Sequence, residues 1–372
     1  MRPRPWALLV LGWIGGGCQG EPPPRDAPLP YLREGSDAPR WHPGAQVTAV
    51  QAFPNLQFGA ARQLLWRRGG EAVDNIGYVV TRAGALRRFE GRPAVRLAPV
   101  VLDGDGGAVT RAVVWPGQKG EVLGILRDAP DGTGQLFGLL RIGPPPAWEL
   151  LLRHDADRAG RIVALAAAPD DAIYLGLDAS GRDSAQRGGV IVRLPRGSGD
   201  LATRLTHAMA RPVAWGFHSP GAISFDRDGA VWIADDGQGG WELNKLKLGQ
   251  HYGWPQREGR RCRGESACAG GGYRDPEHWI AVAAPSQRSA VAFLPSVRQS
   301  GVGSSLAGAL VYAHRDGGLW ARPLHGNATA RQPQLLRQHD AAIADLAVDS
   351  SGRLFLIEAD SGIVRELVAR PR

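Results

Sequence analysis

Cys262 and Cys268, in GRRCRGESACAG, are the residues whose type and spacing most directly suggest chemistry. Two sulfurs with no His or Asp at a fixed spacing beside them fall short of the four ligands a structural zinc takes. A disulfide remains, if the chain is exported to an oxidising compartment, with free thiols as the other reading. His154, Asp157 and His218 supply imidazole and carboxylate groups that could form a polar cluster for proton transfer. No strand-to-helix phosphate loop, G-x-S-x-G elbow or H-E-x-x-H pair occurs, so the common nucleotide, acyl-transfer and zinc-protease templates are absent.

Short strands must position these residues. The 372-residue chain has 51 Gly and 28 Pro, well above the roughly 12% usual for a soluble domain, so long helices are not expected to dominate. With 43% hydrophobic and 22% charged residues there is material for a large core. From about residue 45 onward one pattern recurs: an Asp- or Gly-bearing turn beside a burst of apolar or β-branched residues. APDGTGQLFGLL at 129–140, APDDAIYLGLD at 168–178, FDRDGAVWIADD at 225–236 and VDSSGRLFLIEAD at 348–360 are copies, each read as strand, tight turn and strand. Such hairpins must stack to protect their edges, and stacked radially they make a β-propeller. At about 40 to 50 residues per blade, the chain allows six to eight.

The opening MRPRPWALLVLGWIGGGC places Arg2 and Arg4 before the apolar run Trp6–Ile14, the form of a signal peptide. No apolar run of 18 residues follows, so no transmembrane helix is expected. Cys18, after three small residues, resembles the lipid-attachment cysteine of a bacterial lipoprotein; loss with a cleaved signal peptide is the other reading. We therefore divide the chain into a lipoprotein-type signal peptide at 1–18, a Pro-rich tether at 19–45 and a single propeller domain at 46–372, exported to the bacterial periplasm and lipid-anchored to the membrane. Export makes the Cys262–Cys268 disulfide the expected pairing. The net charge of +8 is spread over isolated arginines without a basic run, which speaks against nucleic acid as a partner.

The stretch at 214–268 is the most informative. Its G-F-H-S-P at 216–220, FD..GAVWIAD strand pair, G-Q-G-G-W-E-L-N at 237–244 and Y-G-W-P at 252–255 resemble the soluble quinoprotein glucose/sorbosone dehydrogenase family, and the two following cysteines its hedgehog-interacting-like branch. Weaker matches in order are FPNLQFGAARQLLW at 53–66, VVTRAGALRRFE at 79–90, GEVLGI at 120–125, AAPSQRSAVAF at 283–293 and AGALVYAHRDGGLW at 307–320. The resemblance implies an all-β fold, a six-bladed propeller of four-stranded antiparallel blades. It also implies pyrroloquinoline quinone (PQQ) and Ca²⁺ near the axis, a His general base, and oxidation of a sugar at its anomeric carbon.

The chain departs from that pattern where the chemistry lies. The family's base segment His-x-x-Gly-Arg-Leu/Ile reads Asp157-Arg-Ala-Gly-Arg-Ile162, with Asp157 at the base position and His154 three residues earlier. Arg-Asn-Pro becomes His218-Ser219-Pro220, and Gly-Arg-Ile-Arg-Asp ends here as Ala342-Ile343-Ala344-Asp345, so three cofactor-facing arginines are replaced; a cation persists at Arg315. Hydrogen bonds to charged groups contribute about 1.5 to 3 kcal/mol each, so tight quinone binding is not expected. Asp235, Asp236, Gly237 and Gln238 resemble a Ca²⁺-binding turn and equally a plain blade turn. Tyr252 and Trp254 either line a sugar-sized cleft or pack against the Gly-rich turn, and Ser219 and Arg315 complete the expected cofactor surface. The expected function is a divergent sugar-dehydrogenase-like propeller that binds a glycan or an envelope protein without standard quinone turnover; a PQQ- and Ca²⁺-dependent aldose dehydrogenase is the alternative.

Overall fold

The computed structural model describes residues 47–369, apart from 55, 68–75, 91–95, 103–106, 116–121, 143–145, 184–187, 198–199, 227, 265–267, 269–270, 282–289, 294–305, 307, 314–316, 325–332 and 350. Six four-stranded antiparallel sheets form the blades of a β-propeller. Five of them follow chain order. Their innermost strands are Ala61–Trp66, Val109–Val114, Ile162–Ala167, Pro220–Phe225 and Ala290–Phe293. The sixth blade begins with Ile343–Val348, and its outermost place is filled by Val47–Gln51 from the start of the described chain. This exchange joins the two ends of the propeller domain by five register pairs.

The Asp-bearing turns fold for a common reason. Asp226 Oδ1 accepts the backbone N–H groups of Asp228 and Ala230, and its Oδ2 accepts Trp232 Nε1. Asp349 accepts those of Ser351 and Arg353 in the same way. A short carboxylate that satisfies its own turn's donors fixes the hairpin without help from other elements.

Apolar faces meet between successive blades. Trp241 of the fourth blade stacks on Tyr312 of the fifth at 4.9 Å, and Trp66 of the first lies 4.8 Å from Phe355 of the sixth. The helix Leu201–Ala210 was not signalled by the strand pattern: Asp200 caps it by accepting Thr203 N–H at 2.8 Å, and Leu205 and Ala208 bury themselves in the core cluster shared by the second and third blades. Among the described residues no helix is long and apolar enough to cross a membrane.

Candidate functional site

In an up-and-down blade, the links from one blade's outer strand to the next blade's inner strand emerge at one end of the ring. The links between second and third strands emerge at that same end. This rim carries His154 to Gly160, His218 to Pro220, Asp235 to Gln238 and Ala342 to Asp345. Arg315 and Cys18 lie outside the described residues.

At the fourth blade, Asp235 and Asp236 end the strand Val231–Asp236 and point to opposite faces, as the two-residue period requires. Asp235, 4% exposed, accepts the backbone N–H of His218 at 2.9 Å and of Ser219 at 2.6 Å. Burial, with Glu242 directly across the strand pair, pushes its carboxyl well above the usual range. Glu242 is also pushed up by burial; it accepts Asn244 Nδ2 and the Gly259 N–H. His218 donates Nδ1–H to the Asp236 carbonyl at 2.6 Å, which leaves Nε2 as the lone-pair nitrogen. Its ring meets Trp254 edge-on at 4.2 Å.

Trp254 reaches the rim on a strap. Residues 251–254 run beside the outer strand Ala214–Phe217, with Tyr252 N–H donating to Trp215 O and Trp254 N–H to Gly216 O, both at 2.9 Å. Tyr252 is 2% exposed: its ring stacks on Phe217 at 4.5 Å, and its hydroxyl donates to Lys245 O and accepts Lys247 N–H. One face of Trp254 is covered by the Arg263 guanidinium at 4.3 Å, and Arg263 donates to Gln238 Oε1 at 2.5 Å. The geometry thus gives both aromatics packing contacts. Glu258 on the same strap accepts Gly239 N–H at 2.7 Å, and its carboxylate sits where a Cβ on Gly237 would be. Cys262 and Cys268 form a disulfide that closes the strap's tip.

His154 and Asp157 are placed apart in function. His154, 6% exposed and held below its ordinary pKa by burial, donates Nε2–H to Gly160 O at 2.7 Å. Asp157 lies on the exposed side of the short helix Ala156–Ala159, capped by Asp155. Of the three candidate proton-transfer groups, only His218 holds an oriented ring with its second nitrogen free at the half-exposed rim.

The sequence profile of the Glucose / Sorbosone dehydrogenase family matches residues 152–365, more than half of the chain. The chain belongs to the glucose/sorbosone dehydrogenase family. The PQQ-bound aldose sugar dehydrogenase of Streptomyces coelicolor superposes with a TM-score of 0.65 at 17% identity, covering 90% of this chain and 100% of that one. The apo form of the soluble aldose sugar dehydrogenase of Escherichia coli gives 0.63 at 16% identity over 88% and 100%. The PQQ domain of Coprinopsis cinerea pyranose dehydrogenase gives 0.57 at 11% over 88% and 98%. No curated protein sequence matches the chain.

As a glucose/sorbosone dehydrogenase family member, the chain can be tested for the groups its relatives hold. The turn at 235–238 does not fit Ca²⁺. Gln238 Oε1 already receives a guanidinium, Glu258 fills the concavity, and Asp235 and the Asp236 carbonyl are taken by His218 and Ser219. Among the described residues no three His, Cys, Asp or Glu side chains are gathered to hold a metal. The quinone fares little better at the three substituted positions, since Ala342 and Ala344 offer no side-chain donor and His218 commits Nδ1 to the Asp236 carbonyl, leaving Nε2 alone in place of an arginine's five donors.

Below the rim lies a cavity of about 280 Å³ on the axis, walled by the inner strands of the first, second, third, fourth and sixth blades. Ala344, Asp345, Arg62 and Arg111 line it. Sequence reading missed Arg62 and Arg111 because each sits in an alternating strand, ARQLLW or TRAVVW, where arginine ordinarily means a solvent face. The usable signal was that two inner strands carry arginine at nearly the same place in the repeat.

Proposed function

We propose that this family member binds a sugar or glycan at the cell envelope and lacks the standard quinone-dependent turnover. The observation that carries the reading is the commitment of the rim among the described residues: Asp235, the Asp236 carbonyl, Gln238 and His154 are bonded within the protein, and Ala342 and Ala344 stand where the family has arginine. The sugar class follows from the relatives, whose names are those of aldose, glucose and pyranose dehydrogenases. Anchoring through Cys18 places the domain on the periplasmic side of a membrane; Cys18→Ser releases the protein into the soluble fraction in this reading, and intact mass reports the lipid.

The deciding experiment is titration with PQQ and Ca²⁺ followed by dye-linked oxidation of aldoses, beside a glycan array. We expect array binding and no turnover at millimolar sugar. Turnover that depends on quinone and calcium overturns the proposal in favour of an aldose dehydrogenase.

A further inference from the structure

The inner strands share one irregularity, and it makes their positions comparable. Each of five carries a register shift against its neighbour, at Ala61/Gln63, Val109/Arg111, Ile162/Ala164, Pro220/Ala222 and Ile343/Asp345. The residue just after the shift in the sixth blade is Asp345, which accepts the backbone N–H of Leu64 in the first blade at 3.0 Å. In the first blade it is Gln63, whose Oε1 accepts Ala112 N–H of the second blade at 2.9 Å while Nε2 donates to Ala112 O at 3.0 Å. These side chains clamp the sixth blade's inner strand to the first and the first to the second, while the third and fourth blades carry Ala164 and Ala222 at the same position.

In the second blade the same position is Arg111. Guanidinium has five donors and no acceptor, so it cannot clamp a backbone N–H. Its one hydrogen bond among the described residues goes to the carbonyl of its own neighbour, Thr110, at 3.0 Å. Arg62, one residue before Gln63, faces the same cavity, has its Nε buried without a partner, and makes no ion pair among the described residues. Burial lowers the pKa of both guanidinium groups. Asp345 accepts backbone N–H groups, and it and Asp236 act electrostatically on Arg111 while Asp128 does so on Arg62. Arg111 thus spends one donor on its own strand and faces Asp345 and Asp236, beside Arg62, whose Nε has no partner. Guanidinium groups turned into a cavity with donors unspent ordinarily acquire an anionic partner.

We propose that the axial cavity is a binding site for a small carboxylate held by Arg62 and Arg111, at the scale of a hexose acid or a dicarboxylate. Two guanidinium forks match the planar, bidentate geometry of carboxylate. The volume of about 280 Å³ lies at the small end of ligand pockets, which start near roughly 300 Å³. The cavity meets the rim at Ala344 and Asp345, and the two arginines rather than the rim loops carry this proposal, so its test is separate from that of glycan binding.

Isothermal titration of the full-length protein with D-gluconate, succinate, inorganic phosphate and uncharged D-glucose tests it. Gluconate or succinate binds with one site per chain and glucose gives no heat. Arg62→Met and Arg111→Met each weaken the carboxylate by about tenfold or more, while Arg141→Met, at an exposed strand end, leaves it unchanged. Phenylglyoxal labelling read by mass spectrometry covers the case of a variant that misfolds: in the native protein gluconate protects Arg62 and Arg111 and not Arg141. The proposal is overturned if neither carboxylate binds at 10 mM (roughly the weakest affinity such titration reads), if binding survives both substitutions, if neither arginine is protected, or if phosphate binds and the carboxylates do not. Quinone-dependent turnover on the same preparation bears only on the functional proposal.

Discussion

At the fourth-blade rim Asp235, His218, Gln238 and Glu258 each receive or make hydrogen bonds to other parts of the chain. Near the start of the first and second blades' inner strands, Arg62 and Arg111 face the axial cavity with most of their donors unspent. The two regions handle buried polarity in opposite ways. The named rim groups are spent on one another, with Asn244 Oδ1 and Gln256 Oε1 beside them lacking partners, and a network so bonded rigidifies and has little left to offer a ligand. A wall with unsatisfied cations is a place where a ligand adds stability, because it supplies a partner the fold lacks. Resemblance to quinone enzymes draws attention to the rim; the unused binding capacity lies on the axis.

The largest expected effect comes from the acid on the axial wall. Burial raises the Asp345 carboxyl to about 7 from 3.8. The folded state then keeps a proton that the unfolded chain releases between about pH 4 and 7, so this group's contribution to stability falls as pH rises through that window and is flat above it. At about 1.4 kcal/mol per unit, Asp345→Asn gains up to about 4 kcal/mol on wild type between pH 4 and pH 8, read by urea denaturation at each pH. A difference that stays constant with pH means that Asp345 is ionised throughout and pairs with Arg111, which erases the contrast between wall and rim.

Asp235→Ala comes next. It strands two buried backbone donors, at about 1 to 3 kcal/mol each, so we expect a loss of about 3 kcal/mol in urea denaturation at pH 7, with Asp235→Asn recovering part of it. Gluconate affinity at the axis stays unchanged in the folded variant. A loss below about 1 kcal/mol shows that the rim is not the rigid network described above.

Much of the ring was legible in the sequence, and the reasons are local. FDRDGAVWIADD forms the expected hairpin because Asp226 bonds within five residues of itself. VDSSGRLFLIEAD does the same through Asp349. APDGTGQLFGLL also turns as expected, but joins the second and third strands of its blade where the other three join the first and second. The closure by Val47–Gln51 was not legible, since its partner Val364–Ala369 lies some three hundred residues away and no local pattern specifies it. The Cys262–Cys268 disulfide was legible as the pairing expected of an exported chain. The engagement of Trp254 by Arg263 and of Gln238 by the same guanidinium comes from the path of the strap, which spacing does not encode.

The disulfide is the third test. Cys262 and Cys268 are six residues apart, and closing so short a loop contributes about 2 kcal/mol in the chain-entropy view. Cys262→Ser with Cys268→Ser lowers stability by at most that amount, and limited proteolysis cuts the strap between Gln256 and Cys268 earlier than the blades. If the blades open first, the strap is part of the ring's cooperative core rather than a rim attachment.

The smallest effect is the most discriminating. A cation that serves the scaffold costs stability when removed, as Arg322 does through its bonds to Glu277 O at 2.6 Å and Glu277 Oε2 at 2.8 Å. Arg62 has no such bond among the described residues, and its neighbours include Arg82 and Arg161 as well as Asp128. Replacing it by methionine keeps the aliphatic stem's packing and removes a desolvated charge. Arg62→Met therefore has a Tm equal to wild type or higher by a degree or two, about 0.5 kcal/mol, measured by thermal unfolding in the absence of added anions. Arg322→Met falls in the same assay. With saturating gluconate the order for Arg62 reverses, because only wild type gains ligand stabilisation. A ligand-free loss of Tm on Arg62→Met as large as that on Arg322→Met assigns Arg62 to the scaffold and removes the reason to separate wall from rim.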